Sequence, residues 1–419
     1  MTKATATIAI LLGLTLGAAY LVAKKRKNTK RGAMMALLAL LAFGPTAWAQ
    51  NGIYCTASDK NRVVCTDGTI YDNVAAATAD GKTAAAMIIY IDESSKKGLA
   101  LALKDEASNT QAGGIDACNN KNTSMPVVGG TWKLASKSEW DSMISAAGDS
   151  PTLHDGFSSV GGTNMDDRVY WSSEKNGSNG LLLQYSLGWS DFVSNSQYAN
   201  IRACLTFNLL TLYEIGSQSE WNEFCTAVNF GSTLYGDTFS DKYVKLTSDI
   251  IVSEMAGSSE SNSFQGLFDG DGHTLTVSYN TEYAVTAPFR YVNNATIRNL
   301  KTTGTITTSA MCAAGIVGEV AGSLNLISCS SSVAISSSRG DIDNHGGLVA
   351  SNNGNVTISG CVFDGSFAAT VAHTNSYGTT YCGGIVGMCV ENTSTTITNS
   401  LVAPSSVSEG MISNTFVGL

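Results

Sequence analysis

The sequence predicts a mainly β protein, with an α+β domain in its first half and a right-handed parallel β-helix with an N-terminal capping helix in its second. Three observations predict this. Short apolar runs separated by glycine-rich turns follow residue 50 along most of the chain. A Ser-x-x-Glu capping box occurs once in each half. A glycine-led pair of short strands recurs in the second half at intervals of 32 and 37 residues, which is typical of stacked repeats.

The charge of the chain excludes one class of partner. The 419 residues include 25 Lys and Arg and 34 Asp and Glu. Seven basic residues precede Asp59, the first acidic residue, so the rest of the chain has 18 basic and 34 acidic residues and a net charge of −16. Because such a body repels phosphate backbones, nucleic acid is excluded as a partner.

The first residues have the pattern of an export leader. Residues 4–23 are small and apolar, which is just long enough to span a bilayer, and a basic cluster follows. A second apolar run, residues 34–43, is too short to span and ends before Ala47-x-Ala49, a typical signal-peptidase site.

We therefore expect a leader over residues 1–49, with a signal peptide over residues 24–49 that is cut before Gln50. The protein is then exported, either to the outer cell surface or into the medium. Two alternatives remain for residues 4–23, which are either a membrane anchor that is retained or an artefact of the start site.

Cysteine and histidine spacing predicts no metal site. Ten cysteines follow the leader, and export permits disulfides among them. No C-x-x-C motif occurs and the four histidines are scattered, so neither zinc nor any other cofactor is predicted.

The first predicted domain, residues 50–207, contains one clear helix signal. Ser136 and Glu139 form a capping box that starts a helix running to about Ala147. Trp140 falls in the first turn of this helix, and we expect it to be core together with Trp132.

Four motifs in this domain occur in a recognisable order. They are W-x-L-A-S-x-x-E-W from Trp132, Y-W-S-S-E from Tyr170, a Gly-Trp turn at Trp189 and I-R-A-C-L-x-F from Ile201. This series resembles the major-paralogous and lipoprotein-C-terminal-like family of bacterial surface domains. The resemblance covers about 150 residues and implies a C-type-lectin-like fold.

The resemblance also implies a ligand-facing surface. In that fold the segment that matches residues 189–200 is exposed and the strand after it is core. The candidate ligand-binding residues combine aromatic rings with short polar side chains, a mixture that binding faces favour. They are Trp189, Asp191, Phe192, Asn195, Gln197, Tyr198 and Asn200. Alternatively, they are polar turn residues beside a buried Trp189.

Two chemistries of related families are not carried over. The calcium-binding triplets of animal lectins do not occur in the sequence, so calcium-dependent sugar binding is not implied. Formylglycine-type catalysis, a more distant resemblance, needs paired reactive cysteines. Cys118 and Cys204 are far apart in sequence and Cys204 lies on a core strand, so a structural disulfide between them is the expectation.

The second predicted domain, residues 208–419, opens with a capping box at Ser217 and then becomes repetitive. Gly315, Gly347 and Gly384 each begin a short Gly-x-Val strand, and a second short strand follows each of them. Such units cannot bury an apolar face alone, so they are expected to stack, with Ile316 over Leu348 and Ile385 and with Cys329 over Cys361. The repeats resemble the GLUG motif of bacterial surface and adhesin proteins.

Acidic residues in this domain suggest two possible activities, metal binding and glycan cleavage. Asp269, Asp271 and His273 form a spacing that could bind a metal, although Asp-Gly pairs are ordinary turn formers and a turn is the favoured interpretation. Asp341, Asp343 or Glu319 could serve as acids for glycan cleavage in a groove of the β-helix.

The leading functional hypothesis is a non-catalytic recognition or adhesion protein at the bacterial surface or in the medium. Its partner would be an extracellular glycan or a host or bacterial surface protein, with membrane attachment only if residues 4–23 are retained. The alternative is an extracellular glycan-cleaving enzyme.

Overall fold

The computed structural model describes residues 52–166, 168–184, 188–190, 192–231, 236–339, 343–369, 380–407 and 416–417. The predicted leader, its cleavage site and residues Asp191 and Asp341 lie outside these ranges. Contacts divide the chain into residues 1–47 and residues 48–419, and all described residues belong to the second unit. The protein is mainly β, with 47% of its residues in strands.

The first half consists of two sheets with helices packed on them. Its strands are β1 (Val63–Cys65), β2 (Ile70–Tyr71), β3 (Ala84–Asp92), β4 (Lys97–Ala102), β5 (Glu106–Asn109), β6 (Gly130–Leu134), β7 (Val169–Asn176), β8 (Asn179–Gln184), β9 (Gly188–Trp189), β10 (Val193–Ser194), β11 (Ala199–Ile201) and β12 (Ala203–Asn208). Its helices are α1 (Val74–Ala79), α2 (Gln111–Ser124), α3 (Lys137–Ala147) and α4 (Ser150–Asp155), with 3-10 turns at Ala57–Asp59 and Gly156–Val160.

One sheet has the antiparallel order β2-β1-β3-β4-β12-β6. The other has the order β10-β8-β7-β11-β5, with β9 also paired to β8 and only β7 and β11 parallel. The predicted capping box is confirmed, since the Ser136 amide donates to Glu139 Oε2 (2.8 Å) and the Glu139 amide donates to Ser136 Oγ (3.2 Å). Trp132 and Trp140 are fully buried, as predicted for core residues.

The second half is a parallel β-solenoid of about six turns, which confirms the predicted stacking of repeats. Four sheets run along it. Sheet A contains β13 (Thr211–Ile215), β14 (Lys242–Leu246), β16 (Leu267–Asp269), β20 (Ala295–Arg298), β24 (Ser323–Ile327), β28 (Asn355–Ser359) and β33 (Ser394–Thr398). Sheet B contains β15 (Ile250–Val252), β17 (Thr274–Thr281), β21 (Lys301–Thr308), β25 (Ser330–Ser337), β29 (Val362–Phe363), β30 (Ser366–Ala369), β34 (Leu401–Val402) and β35 (Ser406–Val407).

Sheet C contains β18 (Val285–Thr286), β22 (Cys312–Ala314), β26 (Asp343–Gly346), β31 (Thr380–Gly383) and β36 (Phe416–Val417). Sheet D contains β19 (Phe289–Val292), β23 (Val317–Val320), β27 (Val349–Asn352) and β32 (Val386–Cys389). From β16 to β27 the chain passes through sheets A, B, C and D in turn, with one strand on each sheet per circuit, and after β28 and after β33 it places two short strands on sheet B.

The predicted columns of stacked side chains are confirmed. Ile316, Leu348 and Ile385 belong to one buried cluster. The Val317 amide donates to Leu348 O (2.9 Å) and the Leu348 amide donates to Ile385 O (3.1 Å), which places these turns directly over one another. The Cys329 amide lies 3.4 Å from Cys361 Sγ, as expected for neighbours in a column.

In sequence, helix α5 (Gln218–Phe230) lies between β13 and β14, the first two strands of sheet A. It begins after Ser217, whose Oγ accepts from the Glu220 amide at 3.3 Å. Glu220 Oε2 accepts from the Gly216 amide at 2.8 Å, whereas the predicted capping box has the Ser217 amide as its donor. The hydrogen bond of the glutamate is therefore displaced by one residue. The apolar side chains of the helix, including the fully buried Trp221, join the same cluster as the solenoid core.

The glycine that leads each repeat lies at a corner of the solenoid where there is no room for a side chain. A Cβ added at Gly347 would collide with Gly384 O and the Phe363 ring. We therefore expect Gly347→Ala to lower the free energy of unfolding by about 1–3 kcal/mol, the usual cost of overpacking. Urea unfolding measures the effect. The matched control is Gly156→Ala, where the nearest atom lies 3.7 Å from the new Cβ, and an equal loss in both variants would contradict the close packing at this corner.

Candidate functional site

The predicted ligand-facing segment is held along strand β8, near one edge of the second sheet. Strand β9 pairs with it at Leu183 and Trp189, and β10 pairs with it at Gly180 and Val193. The Asn195 amide also donates to Ser178 O at 3.0 Å. The segment is therefore fixed by backbone hydrogen bonds on both sides of Asp191, whose own placement lies outside the described residues.

Trp189 is half-buried and anchors the segment to helix α3. Its Nε1 donates to Asp141 Oδ1 at 2.7 Å, and Lys137 Nζ lies 5.1 Å from the ring centroid. Burial opposes ionisation of Asp141, but the hydrogen bonds from Lys137 and Trp189 outweigh it and hold the pKa of Asp141 below its ordinary value. Trp189 thus combines the two roles considered for it, as part of the segment and as packing against the domain.

The remaining predicted residues divide into an exposed and a half-buried group. Phe192 is 43% exposed and Tyr198 is 73% exposed, and Gln197 is exposed beside them in sequence. Asn195 and Asn200 are half-buried, and Asn200 Nδ2 is a buried donor with no hydrogen-bond partner among the described residues. The segment therefore presents Phe192, Gln197 and Tyr198 to solvent; we call these three residues the aromatic face.

Sequence reasoning missed a buried polar network beside strands β5 and β11. Arg202 is fully buried between β11 and β12, and its Nε lies 2.7 Å from Asp105 Oδ1. Tyr170 Oη donates to Asp105 Oδ2 at 2.7 Å, and the guanidinium lies 4.5 Å from the Phe157 ring centroid. Asp105 precedes β5, the strand that pairs with β11, so the network fixes the strand that follows Tyr198.

Burial dominates the electrostatics of this network. It raises the pKa of Asp105 despite the opposing charge of Arg202, and it lowers the pKa of Arg202. The one sequence signal was an arginine inside an apolar run, Ile201 to Leu205. A buried ion pair of this kind fixes the positions of its side chains more than it increases the net free energy of unfolding.

Cys118 and Cys204 are buried free thiols in the structure, so the structural disulfide expected between them is not formed there and stays a prediction. Burial raises the pKa of Cys118 to about 12 and also raises the pKa of Cys204. Both groups are therefore neutral thiols at physiological pH, which does not favour nucleophilic chemistry.

The Asp269, Asp271 and His273 segment forms a turn in which each side chain has a separate partner. Asp269 Oδ2 accepts from Arg298 Nε at 2.7 Å, and His273 Nδ1 lies 3.3 Å from Asp249 Oδ1. Asp271 has a φ of 49° and pairs with Lys245 at 2.9 Å. No cluster of three or more metal-ligating side chains occurs within the described part of the chain.

Acid is expected to destabilise the fold through Asp269. Burial opposes its ionisation, but Arg298 and several hydrogen bonds outweigh burial and hold its pKa below the ordinary value. Its contribution is therefore complete above the unfolded pKa of about 4 and is lost as the pH falls through the folded pKa. Urea unfolding between pH 3 and 7 should show a difference between wild type and Asp269→Asn that shrinks below about pH 4.

The control for this prediction is Asp241→Asn, which changes an exposed carboxylate paired with Lys242 and is expected to have an effect of about 0–1 kcal/mol. A difference for Asp269→Asn that stays constant across this pH range would contradict the proposed linkage.

Glu319 is the only one of the three candidate acids whose side chain is described, because Asp341 and the side chain of Asp343 lie outside the described residues. It is half-buried on sheet D, and its Oε1 lies 3.6 Å from Cys312 Sγ. Burial raises the pKa of Glu319. The described residues do not place a second candidate acid beside it.

Comparison with known protein families and with curated proteins finds no match to this chain. Of the two resemblances, the structure shows the β-solenoid in the C-terminal part. Among the described residues, none of the helices has the length and apolarity that crossing a membrane requires.

Proposed function

We propose that the protein is a non-catalytic recognition or adhesion protein, exported to the cell surface or secreted. It binds an extracellular glycan or a surface protein through the aromatic face of its first half. The observation that carries this proposal is the exposure of Phe192 and Tyr198 on a segment held by backbone pairing to β8. Two exposed aromatic side chains on one fixed segment, with an exposed amide between them in sequence, form the mixture that binding faces favour.

Two features of the face support binding. Aromatic rings provide contact area at low cost in conformational entropy, and the Gln197 amide provides adaptable hydrogen bonds. Trp189 and Arg202 hold the segment through Asp141 and Asp105, so little ordering is required when a partner binds.

The solenoid serves as the platform in this proposal. Each turn buries apolar columns against the next, which gives an extended and stiff body. We propose that α5 caps its N-terminal end, because Trp221 lies 6.1 Å from Phe268 and 5.8 Å from Phe289 between ring centroids. A lectin-like fold of the first half, right-handed winding and cleavage before Gln50 belong to the same proposal.

Truncation of the exposed rings is expected to weaken binding. The protein is tested on an array of extracellular glycans and on a panel of immobilised surface proteins. Phe192→Ala and Tyr198→Ala should each weaken the binding by about 1–2 kcal/mol, the usual cost at an aromatic hot spot. The matched control is Tyr283→Ala, since Tyr283 is 59% exposed on the solenoid.

Undiminished binding after both changes, in protein that remains folded, would reject the aromatic face. The same preparations test the enzyme alternative. Product release from a polysaccharide panel that is lost in Glu319→Gln would favour glycan cleavage instead.

A further inference from the structure

A cleft of about 400 Å³ lies between the two halves of the chain and contains none of the residues of the aromatic face. The first half contributes the turn between β1 and β2, and the second half contributes the outer side of sheet A. Its lining includes Asp59, Thr69 and Tyr71 from the first half and Tyr243, Arg298 and Asn299 from the second. We propose that this cleft is a binding site for a neutral mono- or disaccharide unit, separate from the aromatic face.

The size and position of the cleft are those of a ligand site. Pockets for small ligands have volumes of about 300–1,000 Å³ and form preferentially where two folded parts meet. They combine aromatic walls with a few fixed polar groups. Here the walls include Tyr54, Tyr71 and Tyr243, and the polar groups come from both halves.

The charges of the lining are already paired within the protein. Arg62 Nη1 lies 2.5 Å from Asp59 Oδ1, and Arg298 Nε lies 2.7 Å from Asp269 Oδ2. An ionic ligand would therefore meet no uncompensated charge of opposite sign at these groups. A neutral polar ligand has no such requirement, because its hydroxyl groups can both donate and accept hydrogen bonds.

Asp269 organises the polar wall instead of meeting the ligand. Its Oδ2 accepts from Arg298 Nε and from Tyr243 Oη (3.0 Å), and its Oδ1 accepts from Asn299 Nδ2 (3.0 Å) and the Asp271 amide (2.9 Å). Four bonds satisfy the acceptor sites of a carboxylate. They hold the guanidinium, the phenol and the amide in fixed positions, and the carboxylate takes one of the five guanidinium N–H donors.

The three tyrosine rings of the cleft have different roles in the proposed site. Tyr243 is stacked on Tyr54, with ring centroids 4.7 Å apart and planes inclined by 23°, and the Arg298 guanidinium lies 5.7 Å from the Tyr243 ring centroid. These two rings therefore form a packed wall. Tyr71 is half-buried, and we expect its ring to pack against the C–H face of the sugar while the polar wall binds the hydroxyl groups.

The test measures binding of small sugars to the full protein by saturation-transfer NMR and calorimetry. The probes are glucose, galactose, N-acetylglucosamine and their β1,4-linked disaccharides, with glucuronate and glucosamine as charged counterparts. Wild type should bind at least one neutral probe more tightly than either charged probe. Thr69→Trp, which fills the cleft, and Tyr71→Ala, which removes a ring, should each weaken this binding about tenfold or more.

Two further variants distinguish loss of this site from misfolding and from binding at the aromatic face. Asn299→Gly tolerates the left-handed backbone at residue 299, where φ is 51°, and removes the side chain whose amide donates to Asp269, so it should remain folded and bind several-fold more weakly. Tyr198→Ala should leave sugar binding unchanged. No binding by any neutral probe, preference for a charged probe, full binding by Thr69→Trp, or loss of binding in Tyr198→Ala would each overturn the proposal.

Discussion

Trp221→Ala is expected to destabilise the solenoid more than any other single truncation considered for α5. The indole is fully buried, its ring centroid lies 5.3 Å from that of Phe224, and its Nε1 donates to Glu254 O at 2.9 Å. Truncation leaves a cavity among aromatic side chains and removes one of two hydrogen bonds to Glu254 O, which still accepts from Tyr279 Oη at 3.1 Å. We expect the free energy of unfolding to fall by about 3–5 kcal/mol, measured by urea unfolding followed by circular dichroism.

Phe230 provides the matched control on the same helix, because its side chain is 50% exposed. Phe230→Ala should cost no more than about 1 kcal/mol. Equal losses in the two variants, or a loss below about 1 kcal/mol for Trp221→Ala, would contradict the proposal that α5 closes the core.

Arg202→Met is expected to have the second large effect. The substitution keeps much of the apolar volume, but it leaves the half-buried Asp105 without its counter-charge and removes the guanidinium bonds to Ala102 O and Thr163 O. Removal of one partner of a buried pair usually costs about 3–5 kcal/mol, because the remaining charge is uncompensated. The unfolding transition of the first half should therefore shift markedly, and tryptophan fluorescence can follow it through the buried Trp132, Trp140 and Trp171.

An exposed arginine in the same half distinguishes this effect from loss of charge alone. Arg168 is 77% exposed and lies 3.4 Å from Asp166, so Arg168→Met should change stability by only about 0–1 kcal/mol. A small effect at Arg202, similar to that at Arg168, would show that Asp105 does not depend on its partner.

Local signals predicted the mainly β character of the chain and the β-solenoid of its second half. Ile316 and Leu348 follow glycines in equivalent positions, and each repeat had to stack because its strands are too short to bury an apolar face alone. Capping boxes predicted α3 and α5 because the bonds that define them join residues three apart in sequence. The bends of the solenoid also depend on local conformation, because Asn299, Ser328 and Gly360 at successive corners all have positive φ.

Features that depend on distant partners could not be predicted. The sequence indicated Trp189 as either core or ligand surface, and only the packing of α3 beside β9 brings Asp141 to its indole nitrogen. Arg202 pairs with Asp105 because β11 lies beside β5, a sheet order that local patterns do not specify. The cleft arises in the same way, since its two walls come from different halves of the chain.

Photo-crosslinking from the aromatic face tests the central proposal most directly. Benzoylphenylalanine is placed either at Tyr198 or at Tyr283, an exposed tyrosine on the solenoid, and the protein is irradiated with the array glycan or surface protein that it binds most tightly. The proposed function predicts a crosslink from position 198 and none from position 283. A crosslink from position 283 alone would contradict it and move the binding surface to the solenoid.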